Sequence, residues 1–455
     1  MYLELWRRLG GIGVSTTSLE TGFLERTFRL KENNTTVRTE IVAGITTFMT
    51  MAYILFVNPS ILQEAGMPFN ATLYATAFSA AFATLLMALL ANYPFALAPG
   101  MGLNAYFAYS VVLGMGVSWQ TALGAVFLSG VVFILLTVTR VREMIVDAVP
   151  DSLKSAIGAG IGLFIALIGL VNAGIVVGDP ATTVALGDVK SASVLLAFAG
   201  LIITGILMTL KVKGAILWGI LATTILGMPF GVTQVPSGII QWPRLGDWAP
   251  VFGKLDILGA LKLGFFEIVF AFLFVDMVDT IGTLIGVSKQ GGFLNKEGKL
   301  ERVSPALLSD AVGTVAGSIF GTPTVTTYVE SASGVAVGGK TGLTAATTAV
   351  CFLLALFFMP IIAIVPSAAT APALIIVGSM MIKQALGVAW EDASEAIPAF
   401  ITMVAMPFTY SIATGIALGF IVYPLIKLLS GKGKTVHWMV YVLAVLFIFR
   451  FAYLA

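Results

Sequence analysis

Apolar stretches long enough to cross or half-cross a bilayer recur along the whole chain, separated by short polar or basic breaks. A first series falls at about 41–62, 72–91, 95–115, 121–139, 153–174, 192–210 and 213–230. A polar connection bearing Pro and Trp follows at 231–258. A second series falls at about 262–287, 304–320, 324–338, 342–365, 369–388, 395–411 and 412–430. A spanning helix needs about 20 mostly apolar residues. The pattern therefore predicts an all-α polytopic membrane protein of fourteen transmembrane segments, seven and seven. A last apolar run, 436–454, is a surface helix, a re-entrant hairpin or a fifteenth span.

Two segments do not read as continuous helices. The third is FALAPGMGLNAYFAY from Phe95, and the tenth is GTPTVTTYVESASGVAVGG from Gly321. Pro99 and Pro323 remove backbone donors, and Gly100, Gly102 and Gly321 loosen the chain. Irregular backbone at membrane depth is tolerated only where it is buried in protein or lines a cavity. Paired, Gly/Pro-interrupted segments at matching places in two halves point to a transporter's binding site. A repeat with an odd number of spans re-enters the membrane the other way round. The two sevens are thus expected as inverted repeats, with segments 3 and 10 each broken at mid-membrane.

Composition supports the membrane reading. Of 455 residues, 58% are apolar and 11% charged, with a mean hydropathy of +0.99. A soluble domain carries roughly a quarter charged residues. The basic residues then orient the chain by the positive-inside rule. Twenty of the 25 Lys and Arg fall in the N-terminal tail or after even-numbered segments, leaving Lys190, Arg244, Lys254, Lys262 and Arg450 as exceptions. This predicts a cytosolic N-terminus in the plasma (cell inner) membrane. Residues 1–40 hold Arg7, Arg8, Arg26, Arg29, Lys31 and Arg38 without an apolar core, and read as a tail rather than a signal peptide.

Other chemistries find little support. The single Cys351 allows no disulfide within the chain and no Cys-based metal site. Nothing suggests nucleic acid as a partner. No metal spacing, nucleophile elbow or P-loop suggests an enzyme or a cofactor. The single His437 lies near the C-terminus, outside the expected site.

Ionisable side chains inside spans are costly and mark function by default. The eighth segment holds Glu267, Asp276 and Asp279, the ninth Asp310 and the tenth Glu330. Glu330 opens the expected half-helix after the break, and Asn104 holds the matching place in the third segment. Glu267 reads as interfacial. Asp276 reads equally as structural or functional. Asp310 is expected to support the site or handle protons, and Asn104 reads as either a ligand or helix–helix glue. Carboxylates withdrawn from water and crowded together trade protons readily, which suits a proton-coupled carrier.

Four strings together resemble one family: VDTIGTLIG, LLSDAVGTVAGSIFGTP, TTYVESASGVAVGGKTGLTA and APGMGLNAYFA. With the opening ERTFRLKENNTTVRTEIVAGITTFMTMAYILFVNP, they look like AzgA-like hypoxanthine/guanine and adenine permeases. These form a branch of the nucleobase–cation symporter (nucleobase–ascorbate transporter) superfamily, and the resemblance covers about residues 24–430.

The resemblance implies core-domain segments at 41–139 and 259–366, and gate-domain segments at 140–230 and 367–430. An extracellular connection at 231–258 and a C-terminal tail at 431–455 complete the chain. It implies a short strand before each half-helix, with the solute between the two strands. Carried over, Asp279 and Glu330 hold the base, with Asn104, Ala98, Gly100 and Thr327 beside them and Asp310 and Asp276 in support or proton coupling. Tyr106, Phe107, Phe270 and Tyr328 are candidates to stack on it. The resemblance departs from some relatives after Glu330, where Ser331, Ala332 and Ser333 replace an Asn.

The expected function is proton symport of a purine base by elevator-type alternating access, with the proton as coupling ion, a lipid bilayer around the protein and possible homodimers. A uracil, xanthine or urate permease is the nearest alternative. An anion exchanger of the same architecture is a more distant one.

Overall fold

The computed structural model describes residues 22–139, 148–236, 238–262, 265–295 and 300–453, with no side-chain description at 265–267, 450 and 453. Arg7, Arg8, Arg140, Arg142, Lys296 and Lys299, and the side chains of Glu267 and Arg450, therefore lie outside the described residues.

Among the described residues, ten helices are long and apolar enough to cross a membrane, and Ala215–Gly227, Ala393–Phe408 and Trp438–Phe449 are shorter apolar helices. After a short helix, α1 (Phe23–Phe28), the first span is built from α2 (Val37–Met51) and α3 (Ile54–Glu64). The second is α4 (Phe69–Leu86), which ends in a π-helical turn, Met87–Ala91. Strand β1 (Leu97–Pro99) follows, then α5 (Met101–Ala105), which runs on as π-helix to Gly114. Next come α6 (Trp119–Val138), α7 (Asp151–Asn172), an exposed hairpin of β2 (Val176–Asp179) and β3 (Thr183–Leu186), α8 (Ala192–Thr209) and α9 (Ala215–Gly227).

The second half begins with the short α10 (Ile257–Lys262), then α11 (Phe265–Gly291) and α12 (Val303–Phe320). Strand β4 (Val325–Thr327) leads into α13 (Ser331–Ala336) and α14 (Gly342–Ala355). The chain closes with α15 (Met359–Ile362), α16 (Ser367–Met381), α17 (Ala393–Phe408), α18 (Ile412–Leu429) and α19 (Trp438–Tyr453).

The apolar runs locate these elements to within a few residues, the tenth included, where the run at 324–338 holds β4 and the six residues of α13. Gly338, at φ +109°, takes a left-handed conformation that stops the helix. Gly321, at φ +100°, plays the same part at the end of α12 and turns the chain back into β4. A Cβ there would also lie 2.6 Å from Val251 Cβ.

Two sets of helices pack mainly among themselves. Helices α2–α6 and α10–α14 form one, around β1 and β4, and α7–α9 and α16–α18 form the other. They touch where α5 meets α7, α3 meets α16 and α2 meets α9. Helix α19 packs on α18 and places Phe447 against Phe420 and Phe270. Apolar side chains such as Leu195, Ile202 and Ile206 of α8 are exposed at 54–61%, as expected for a lipid-facing surface.

Candidate functional site

Strands β1 and β4 pair antiparallel, with Leu97 opposite Thr327, Ala98 opposite Thr326 and Pro99 opposite Val325. Gly100 N donates to Thr324 O at 2.9 Å and Tyr328 N to Ala96 O at 3.0 Å, closing both ends of the ladder. The two strands between which the resemblance would put the solute are thus hydrogen-bonded to each other, about 4.8 Å apart.

A two-stranded ladder leaves an outer edge on each strand, and at membrane depth those groups need partners. Side chains supply them. Thr84 Oγ1 bonds both N and O of Leu97 at 2.9 Å. Thr314 Oγ1 does the same for Val325, accepting from its N at 3.3 Å and donating to its O at 3.0 Å. Asp310 Oδ1 accepts from Thr327 N at 3.1 Å. The Tyr328 hydroxyl donates to Pro99 O, and Ser331 Oγ accepts from Ala96 N at 3.0 Å.

The predicted residues separate into three groups. In the first, Glu330 stands immediately before α13, and its carboxylate accepts from the Tyr53 hydroxyl at 2.8 Å. The Asp279 carboxyl lies within electrostatic reach of Glu330, and Tyr328 within reach of both. Asp279 and Glu330 are half-buried, whereas Tyr53 and Tyr328 are buried.

The second group stands behind the ladder and is fully buried. Thr280, next in sequence to Asp279, donates toward both oxygens of Asp310 at 3.0 Å and lies 2.7 Å from Thr326 Oγ1. Asp276 is 3.4 Å from the same hydroxyl. Asp310 thus ties α12 to the backbone of β4 and to Thr280 of α11.

The third group contains Asn104, whose Nδ2 donates to Asn58 Oδ1 at 2.6 Å. Asn58 in turn donates to Thr76 at 2.8 Å and Thr322 at 3.1 Å. The Asn104 nitrogen thus joins helices, while its Oδ1 is buried without a hydrogen-bond partner.

Ala98 and Gly100 are buried in the ladder, and a Cβ on Gly100 would lie 2.7 Å from Thr326 Cγ2. Thr327 contributes a buried Oγ1 without a hydrogen-bond partner. Of the candidate stacking rings, Phe270 lies against Phe274 and Phe447, and Tyr106 against Phe272. Phe107 is fully buried, so Tyr328 is the candidate ring beside the carboxylates. Sequence reasoning passes over Tyr53, Thr280 and Asn58. A Tyr or Thr in an apolar run usually packs or bonds its own helix, and nothing local distinguishes these.

This geometry can be set beside known proteins. The family model Xan_ur_permease, described as Permease family, matches residues 38–418. The putative permease MJ0326 of Methanocaldococcus jannaschii is 54% identical over 433 residues, 95% of this chain and 99% of that protein. The guanine/hypoxanthine permease PbuG of Bacillus subtilis is 48% identical, with 94% of this chain and 99% of the relative aligned. The adenine permease AdeP of Escherichia coli is 44% identical, with 97% and 98% aligned.

Among solved structures, the transmembrane domain of the cyanobacterial bicarbonate transporter BicA matches with a TM-score of 0.62 at 15% identity, covering 83% of this chain and 96% of that domain. Murine Slc26a9, an anion transporter in the inward-facing state, matches with a TM-score of 0.61 at 11% identity, covering 94% and 75%. At such identities the likeness concerns the fold. The sequence matches go further, and the chain belongs to the Permease family, as a multi-pass membrane protein whose relatives include purine-base permeases.

Proposed function

We propose that this protein carries a purine base across the plasma membrane, binding it beside the β1–β4 ladder through Glu330 and Asp279. The observation that carries this is the Tyr53–Glu330–Asp279 group. An ionised carboxylate accepts hydrogen bonds only, and has lone pairs for more than one N–H. Hypoxanthine and guanine present ring N–H groups, and guanine adds an amino group. The relatives named adenine or guanine/hypoxanthine permeases support a purine over uracil, xanthine or urate. The acidic centre disfavours anion exchange, which the fold likeness alone would permit.

The finer mechanism belongs to the same proposal. Ten spans, two shorter helices and two interrupted segments make fourteen, arranged as two inverted sevens with a cytosolic N-terminus. The helices of 41–139 and 259–366 act as a core that slides, elevator-fashion, against a gate at 140–230 and 367–430. Residues 231–258 form the extracellular connection, and 431–455 the C-terminal tail. Contacts between the two sets, such as Tyr109 with Asn172 at 3.0 Å, would be remade on each cycle. Protons taken up on Glu330, Asp279 or Asp310 would drive import. Asp276 lends electrostatic support, Asn104 orders the third segment, and Ala98, Gly100 and Thr327 offer backbone and hydroxyl contacts. The working unit is a monomer or homodimer.

Labelled hypoxanthine uptake in cells lacking their own purine carriers tests this. Glu330→Gln is expected to abolish uptake, and a protonophore to collapse accumulation. Wild-type uptake by Glu330→Gln would remove the assigned site. Accumulation indifferent to the protonophore would remove the coupling.

A further inference from the structure

Tyr53 lies where the regular helix of the first span is interrupted. Helix α2 ends at Met51 and α3 begins at Ile54. Between them the backbone tightens, with Leu55 N bonded to Ala52 O and Phe56 N to Tyr53 O. Pro59, inside α3, removes the N–H that would have bonded Leu55 O, and its ring crowds that carbonyl. The regular helical ladder is therefore interrupted at this level, and Tyr53 sits at the interruption.

The hydroxyl of Tyr53 donates to Glu330 Oε1 at 2.8 Å, and the side chain is 1% exposed. A buried tyrosine hydroxyl ordinarily finds some partner. Here the partner is the carboxylate proposed to hold the base, and the bond joins residues 277 positions apart.

The elements carrying the two residues are locked together. A Cβ on Gly334 of α13 would lie 2.1 Å from Thr47 Oγ1 and 2.7 Å from Ala43 O of α2. The two backbones are therefore in contact, leaving no room for Glu330 to drift from Tyr53 while the helices stay packed. Helix α11, with Asp279, packs on α13 as well.

We propose that Tyr53 is a positioning residue for solute binding: its hydroxyl holds one oxygen of Glu330, so that the remaining lone pairs of the carboxylate face the N–H groups of the base. This rests on the purine reading above. The bond orients the carboxylate before the base arrives, so the cost of ordering it is not charged to binding.

Tyr53→Phe keeps the ring and removes only the hydroxyl. Labelled hypoxanthine uptake should show KM raised about tenfold or more at equal membrane abundance, with the maximal rate changed much less. A purely structural role would lower abundance and leave KM alone. Infrared difference spectra of the purified protein supply a second readout that needs no solute. The carboxylate band that disappears in Glu330→Gln should shift in frequency in Tyr53→Phe.

An unchanged KM in Tyr53→Phe overturns the proposal, as does an unmoved Glu330 band. If the wild-type protein takes up neither hypoxanthine, guanine nor adenine, the purine reading fails. The band shift then decides by itself whether Tyr53 positions Glu330.

Discussion

Replacing Thr314 by Val changes one hydroxyl for a methyl group, at nearly constant volume, in a fully buried position. That hydroxyl accepts from Val325 N and donates to Val325 O. The facing residue Pro99 has no N–H, and β4 is three residues long, so no neighbouring strand can take over. Val325 is 0% exposed, and both of its backbone polar groups would be orphaned. Each buried, unsatisfied group costs about 1–3 kcal/mol, which gives about 2–6 kcal/mol for the pair. Thr84→Val should cost a similar amount, since Thr84 serves Leu97 in the same way. Thr314→Ser, which keeps the hydroxyl, should recover most of the loss. Reversible unfolding of the purified protein in detergent micelles measures this. A Thr314→Val protein as stable as wild type would refute the idea that side chains complete the ladder.

Further outcomes follow from α17 and α18. Lys427 is 5% exposed and pairs with Glu395 at 2.6 Å, and Tyr423 donates to the same carboxylate. Lys427→Met should destabilise by about 3–5 kcal/mol, because it strands a largely buried charge, whereas Lys427→Met with Glu395→Met should recover much of it. Unfolding of both variants beside wild type checks this, and equal losses would argue against the pairing. At the start of α17, Asp392 accepts from Ser394 N, Ser394 Oγ and Lys432 Nζ, and these bonds hold its carboxyl well below the usual carboxylate range. Its contribution is therefore complete above about pH 4 and lost as acidification approaches the lowered folded value. Stability profiles of wild type and Asp392→Asn should differ near neutrality and converge in acid. Parallel profiles would rule this out.

Much of the site is legible in the amino-acid sequence. Pro99, Pro323 and the glycines around them mark backbone that cannot be helical. Carboxylates stand out in spans because so few are tolerated there. Their partners are not legible. Asp310 supports Thr327, seventeen residues away, across a turn whose path depends on Gly321. Asn104 donates to Asn58, forty-six residues away, and only the packing of α3 against α5 brings the two together.

The sequence by itself determined that the chain lies in a membrane, where its spans begin and end, and that two of them break around Pro and Gly. Those are consequences of local composition, because an apolar run must leave water and a proline must lose a hydrogen bond. Only the tertiary structure decided that the broken segments bond to each other, Leu97 opposite Thr327 and Pro99 opposite Val325. Only it brought Tyr53 to Glu330 and Thr280 to Asp310. Such contacts join residues far apart in the chain, and they depend on which helix faces approach closely, a property that no short stretch of sequence carries.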